Sequence, residues 1–203
     1  MLLVIVKRNE RTDSRASMVR SAATLIRTRG VSGTSLSDVL AHSGAPRGSI
    51  YHHFPQGKEQ LATDAIRWTS ERALAHQRTC TATTASGVVD CFMSMWRQVV
   101  LASGGAAGCV VAGVAIDTAA DEPGLIDVVR ETFRTWVDLL SEQLVAVGVP
   151  GHRATPIALA TVAGMEGALI LCRAEGDIGP LETVAAELMR LLPPEPASAP
   201  PLR

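Results

Sequence analysis

The chain has 203 residues, 47% of them hydrophobic and 19% charged, enough for one domain or two small ones and too apolar for global disorder. Seven aromatic residues among abundant Ala, Leu and Val favour helices over a sandwich or barrel. The net charge of −1 gives no sign of a nucleic-acid partner, yet that average conceals a split. Residues 1–60 hold nine Lys/Arg against four Asp/Glu, whereas residues 61–203 hold ten against sixteen. A basic head on an acidic body confines any polyanion site to the N-terminal third. Cys80, Cys91, Cys109 and Cys172 are widely spaced without a C-x-x-C pair. Neither a disulfide framework nor a zinc site is therefore expected. The apolar Met1–Val6 run is too short to cross a bilayer and lacks a small-residue cleavage site. It reads as a flexible extension over 1–12, and the protein as cytoplasmic.

The spacing predicts a first helix from about Asp13 to Arg29, with Met18, Ala22, Leu25 and Ile26 on one face and Gly30 as its stop. A short second helix starts at Ser35, where Ser35 and Asp38 have capping-box spacing, and ends at Ser43-Gly44. A third opens with Pro46 in its first turn and closes near His53. From Lys58 to about Thr79 a longer helix carries Leu61, Ala65, Ile66, Thr69 and Ala73 on one side. After a polar break at Cys80–Ser86, residues 87–102 carry Val88, Phe92, Met95, Trp96 and Val99. Residues 108–119 are apolar almost all round, the pattern of a small buried helix. Leu125, Val129, Phe133, Trp136, Leu140 and Leu144 form the clearest helical stripe, with Gly148 as terminator. Two more helices follow at about 154–175 and 181–192. Five prolines in the last eleven residues predict a disordered tail over 193–203. No alternating strand pattern and no internal repeat is visible.

Two short helices joined at Ser43-Gly44 behind a longer amphipathic one make a helix-turn-helix. The helix from Pro46 would enter the major groove, which accepts one α-helix. Arg47 is suited to the O6/N7 edge of guanine, Gly48 to close approach, and Ser49 to a base edge or phosphate. Tyr51, His52 and Lys58 suit phosphate oxygens, and the N-terminus of the Lys58 helix is an anion site. Thr34, Ser35 and His53 complete the candidate DNA-binding set, with Ser35 doubling as a cap. Phe54 reads as core; Tyr51 divides evenly between core and contact. His42 reads as a surface residue. His52 and His53, being adjacent, are expected to point apart and hold no metal.

Thr34-Ser35-Leu36, the string from Ser43 to Phe54, and Lys58-Glu59-Gln60-Leu61 resemble the helix-turn-helix signature of TetR-type transcriptional regulators. The resemblance runs from about Ser17 to Leu61. Ala45-Pro46-Arg47-Gly48-Ser49, the inserted Pro55-Gln56-Gly57, and Gly108-Cys109-Val110 are similar to the LmrA/YxaF-like subgroup. It implies an all-α homodimer of about nine helices, with a helix-turn-helix domain at 13–57 and a helical effector-binding and dimerisation domain at 58–192. It further implies a palindromic operator as partner, released when a small apolar or aromatic effector binds.

Within that layout the candidate ligand-lining residues are Met93, Trp96, Cys109, Ile116, Trp136, Met165 and Leu169, each of which also reads as ordinary core. Asp90, Arg97, Asp117 and Glu166 are the charges available to orient a ligand. Small residues on the penultimate helix (Ala160, Gly164, Gly167 and Ala168), with Leu171, suit a tight helix crossing. With Leu181, Val184 and Leu188 of the last helix they form the candidate dimer interface, the other reading being packing within one chain. There is no G-x-S-x-G, H-E-x-x-H, Walker or dinucleotide-binding motif, so no enzyme, cofactor or membrane partner is expected. The rival reading is a helical small-molecule carrier or sensor with no DNA role, which leaves the basic head unexplained.

Overall fold

The computed structural model describes residues 2–118 and 123–193, with side chains from residue 14 and again from residue 124. The predicted tail from residue 194 lies outside the described residues. Among those described there are nine α-helices and no strand. They are α1 (Leu2–Arg29), α2 (Leu36–Ser43), α3 (Ile50–His53), α4 (Gly57–Arg78), α5 (Ala85–Ser103), α6 (Val110–Asp117), α7 (Pro123–Ala146), α8 (Gly151–Glu175) and α9 (Gly179–Arg190). The first helix begins well before Asp13, because residues 2–29 contain no Gly or Pro to stop it.

The head is built by α1 to α3. Ser35 and Asp38 close the predicted capping box: the Ser35 hydroxyl accepts from the Asp38 amide and the Asp38 carboxylate from the Ser35 amide. Gly44 ends α2 in the left-handed region at φ 67°, which turns the chain across the helix it has just left. Pro46 precedes the next element instead of opening it, and Arg47–Ser49 form a 3-10 turn that leads into α3. Phe54, fully buried, fastens this unit to α1 beneath the Arg15 guanidinium, 5.4 Å from the ring centre. Burying a side chain of this size is worth about 1.5–3 kcal/mol.

In the body, α7, α8 and α9 pack in sequence, α9 also meets α5, and α4 packs on α1, α5, α6 and α7. Leu125, Val129, Trp136, Leu140 and Leu144 of α7 are buried as their spacing requires. Gly148, at φ 94°, terminates the helix and lets the Val149 amide donate back to the Leu144 carbonyl. Phe92, Trp96, Phe133 and Trp136 form one aromatic cluster, with the two Trp rings 5.6 Å apart.

Two expectations fail here. Helix α6 is buried only along Val110, Val111 and Val114, while Ile116 on its other side is 75% exposed. It closes one side of a groove, and an all-round apolar helix does not reveal which side has a neighbour. Cys80 and Cys91 are joined in a disulfide, against the expectation from their spacing. The turn between α4 and α5 folds Cys91 back beside Cys80, with Cα atoms 6.0 Å apart, a proximity that a sequence separation of 11 does not announce.

Candidate nucleic-acid interface and effector clefts

The recognition unit presents its polar side outward. Arg47, Gly48, Tyr51 and His52 are exposed, Tyr51 to 69%, so Tyr51 is not part of the core. A Cβ at Gly48 would meet nothing within 4 Å, so the surface there is open to a close approach. The Ser49 hydroxyl donates to the Pro46 carbonyl at 2.6 Å and so stiffens the turn that carries Arg47. Lys58, in the first turn of α4, is half-buried beside Ser35 and Leu36.

Other members of the predicted set sit differently. Thr34 is buried and its hydroxyl donates to the Gly30 carbonyl at 2.7 Å, so it fastens the α1–α2 turn and is withdrawn from any contact face. Ser35 remains exposed, though its hydroxyl is engaged with the Asp38 amide and carboxylate. His53 is half-buried with its ring edge-on to Phe54, and the His52 and His53 rings lie 5.2 Å apart and do not point away from each other. His42 is exposed and its Nδ1 meets the Ser21 hydroxyl at 3.0 Å. One residue was missed by sequence reasoning. Arg15 stacks on Phe54 and pairs with Asp64 of α4 at 2.6 Å, linking α1, the recognition unit and α4. Its spacing on α1 carries no signal of this, because both partners are remote in sequence.

Two clefts open on the body. The first, about 450 Å³, lies between α1, α4 and α5 and is lined by Trp68, Thr69, Arg72, His76, Met95 and Trp96 among others. The Trp96 indole N–H is buried at this cleft without a partner among the described residues. The second, about 340 Å³, lies between α1, α6 and α8 and takes in Cys109, Ile116, Glu166 and Leu169. The predicted lining residues are thus divided. Trp96 reaches the first cleft, and Cys109, Ile116 and Leu169 the second. Met93, Trp136 and Met165 are fully buried and line neither. Trp136 instead donates from its indole to Ser70 at 3.2 Å inside the aromatic cluster. Periodicity identifies the buried face of a helix; where neighbouring faces fail to meet is a property of the assembled bundle.

Residues 19–65 match the family "Bacterial regulatory proteins, tetR family", and residues 85–187 match "Transcriptional regulator LmrA/YxaF-like, C-terminal domain". The chain belongs to the TetR family. The HTH-type transcriptional regulator Rv0196 of Mycobacterium tuberculosis is 38% identical over 184 residues, covering 88% of this chain and 93% of that protein. The HTH-type transcriptional regulator LmrA of Bacillus subtilis is 28% identical over 182 residues, covering 89% and 97%. A TetR regulatory protein of Rhodobacter sphaeroides has the same fold, with a TM-score of 0.79 at 19% identity over 87% of this chain and 97% of that one. So does the regulator CifR, solved as a cysteine mutant with 26-base-pair operator DNA, with a TM-score of 0.72 at 18% identity over 88% and 96%. This TetR-family chain is therefore a DNA-binding transcriptional regulator and not an enzyme.

Proposed function

We propose that the protein is a cytoplasmic repressor that binds a palindromic operator as a homodimer and leaves it when a small apolar or aromatic molecule occupies the cleft between α1, α4 and α5. The observation that carries this reading is the course of α4. It starts at Gly57 beside the recognition unit and lines the cleft with Trp68, Thr69, Arg72 and His76 about three to five turns later. A ligand seated there pushes on the same rigid rod that sets the position of the head. Met95, Trp68 and Trp96 offer adaptable, polarizable contacts, and the unpartnered Trp96 N–H offers one donor to orient an acceptor.

The dimer face is proposed on the outer side of α8. Leu159, Ala160, Ala163, Gly167, Ile170 and Leu171 are exposed along one stripe, an apolar surface that water does not favour. Ala160, Gly167 and Leu171 of the predicted interface belong to it. Gly164, Ala168, Leu181, Val184 and Leu188 do not. A Cβ at Gly164 would come within 3.1 Å of Val184 and 3.4 Å of Leu188 of the same chain, and Ala168 and Leu181 are buried. Those five belong to the α8–α9 contact inside one protomer, which borders the outer stripe along Gly164 and Ala168.

The test is fluorescence anisotropy on DNA from the region upstream of the gene, at several salt concentrations, with and without aromatic compounds chosen by quenching of Trp fluorescence. A repressor gives affinity that falls with salt as counterions are released, and loses the DNA when the compound binds. Binding of the compound without any salt-dependent DNA affinity would favour the carrier reading instead.

A further inference from the structure

The groove between α1, α6 and α8 is the joint between head and body. Three hydrogen bonds frame it: the Gly108 amide donates to the Arg27 carbonyl at 3.0 Å, Arg173 donates to the Thr28 carbonyl at 2.7 Å, and the Ser32 amide donates to the Asp117 carboxylate at 2.5 Å. Gly30 makes the last of these possible, since a Cβ there would lie 2.6 Å from the Asp117 oxygen. Among the described residues these bonds leave one acid of the groove unused. Both carboxylate oxygens of Glu166 are buried without an N–H or O–H partner. The Cys109 thiol adjoins the carboxyl, but its weak pull is outweighed by burial, which raises the Glu166 pKa to about 7.

We propose that this groove is a second ligand site, separate from the α1/α4/α5 cleft, and that it takes an apolar primary amine whose ammonium group sits on Glu166. A buried carboxylate is costly unless a cation pairs with it, and both of its oxygens need donors. An ammonium group supplies the charge and three N–H donors at once, whereas a hydroxyl supplies one donor and no charge. The apolar body of the amine lies against Ile26, Ala112, Ile116 and Leu169. At about 340 Å³ the groove is at the small end of ligand sites, whose usual range is about 300–1,000 Å³. The other charges facing it are already committed or at the rim. Arg173 and Asp117 hold the head–body bonds, Arg29 is exposed, and burial keeps the Cys109 thiol protonated. Arg27 also lines the groove, and its Nε is buried without a partner among the described residues. A molecule wedged between Ile26 of α1 and Leu169 of α8 acts directly on the joint.

The test is calorimetric titration of the purified protein at pH 8 with 4-phenylbutylamine, 4-phenylbutanol and 4-phenylbutyrate. The amine should bind at least tenfold more tightly than either analogue, and its affinity should fall as the pH drops from 8 to 5 and Glu166 takes up a proton. Glu166→Gln should erase the preference for the amine, with Ala112→Phe, which fills the groove, as a second variant that loses binding. Equal binding of the alcohol, or a preference for the amine that survives Glu166→Gln, overturns the proposal. Operator affinity is read separately. Glu166-dependent amine binding supports the site even where the operator stays bound.

Discussion

Arg47 has no structural duty that the fold reveals: it is exposed at the first position of the 3-10 turn, on a surface that Gly48 leaves open. Arg47→Ala should cost about 1–3 kcal/mol of operator affinity and relax the preference at one base pair, whereas Lys58→Ala should weaken all sequences alike and lower the salt slope by about one ion. Competition assays with single-base operator variants at two salt concentrations separate these outcomes. Glu166 works in the opposite direction, against stability. Its pKa is raised from 4.5 to about 7 by burial, so the folded chain holds a proton that the unfolded chain releases. Below about pH 4.5 the residue has no effect. Between 4.5 and 7 it loses stability as the pH rises, and above 7 the full penalty stands, on the order of 3 kcal/mol. Glu166→Gln should therefore raise Tm at pH 8 and leave it unchanged near pH 4, as followed by circular dichroism.

Helix α8 illustrates how one element divides its labour. The edge that meets α9 packs Gly164 against Val184 and Leu188, while the neighbouring stripe leaves Leu159, Ile170 and Leu171 exposed. Gly164→Leu should force α9 away from α8 at a cost of about 1–3 kcal/mol, seen as a lower Tm. Leu171→Arg should leave helicity intact and shift the protein from dimer to monomer in light scattering, with loss of specific operator binding. An Arg variant that remains dimeric would move the interface off this stripe. Helix α2 shows how much of an element is local. Its cap, its acidic third position and its terminal glycine all lie within ten residues and were legible as spacing alone. The disulfide between Cys80 and Cys91 was not, because it depends on the angle at which α5 returns along α4.

For the whole molecule, two heads on one dimer must meet major-groove faces roughly 34–36 Å apart. A ligand shifts that separation only as far as it prefers one arrangement, and a 100-fold preference is worth about 2.7 kcal/mol. Linkage then requires saturating operator DNA to weaken the ligand's affinity by the factor with which the ligand weakens the DNA. Titrating a Trp-quenching compound into free and operator-bound protein measures both sides. Equal affinity for the two forms would remove induction from the mechanism.

Composition and spacing were enough to determine an all-helical fold class, the helix-turn-helix with Arg47 at its start, and the apolar stripe of α7, while the motifs between Ser43 and Leu61 carried the resemblance to the family. These are short-range properties: a cap, a turn or an apolar stripe is encoded within a few residues of itself. Only the tertiary structure decided that Thr34 is a buried fastening of the α1–α2 turn, that Trp136 packs while Trp96 borders a cleft, that Gly164 faces Val184 and Leu188 of its own chain, and that the Glu166 carboxylate lies buried at the head–body joint without a partner among the described residues. Each of these depends on which remote side chain arrives opposite, a relation between helices that no periodicity within one helix contains.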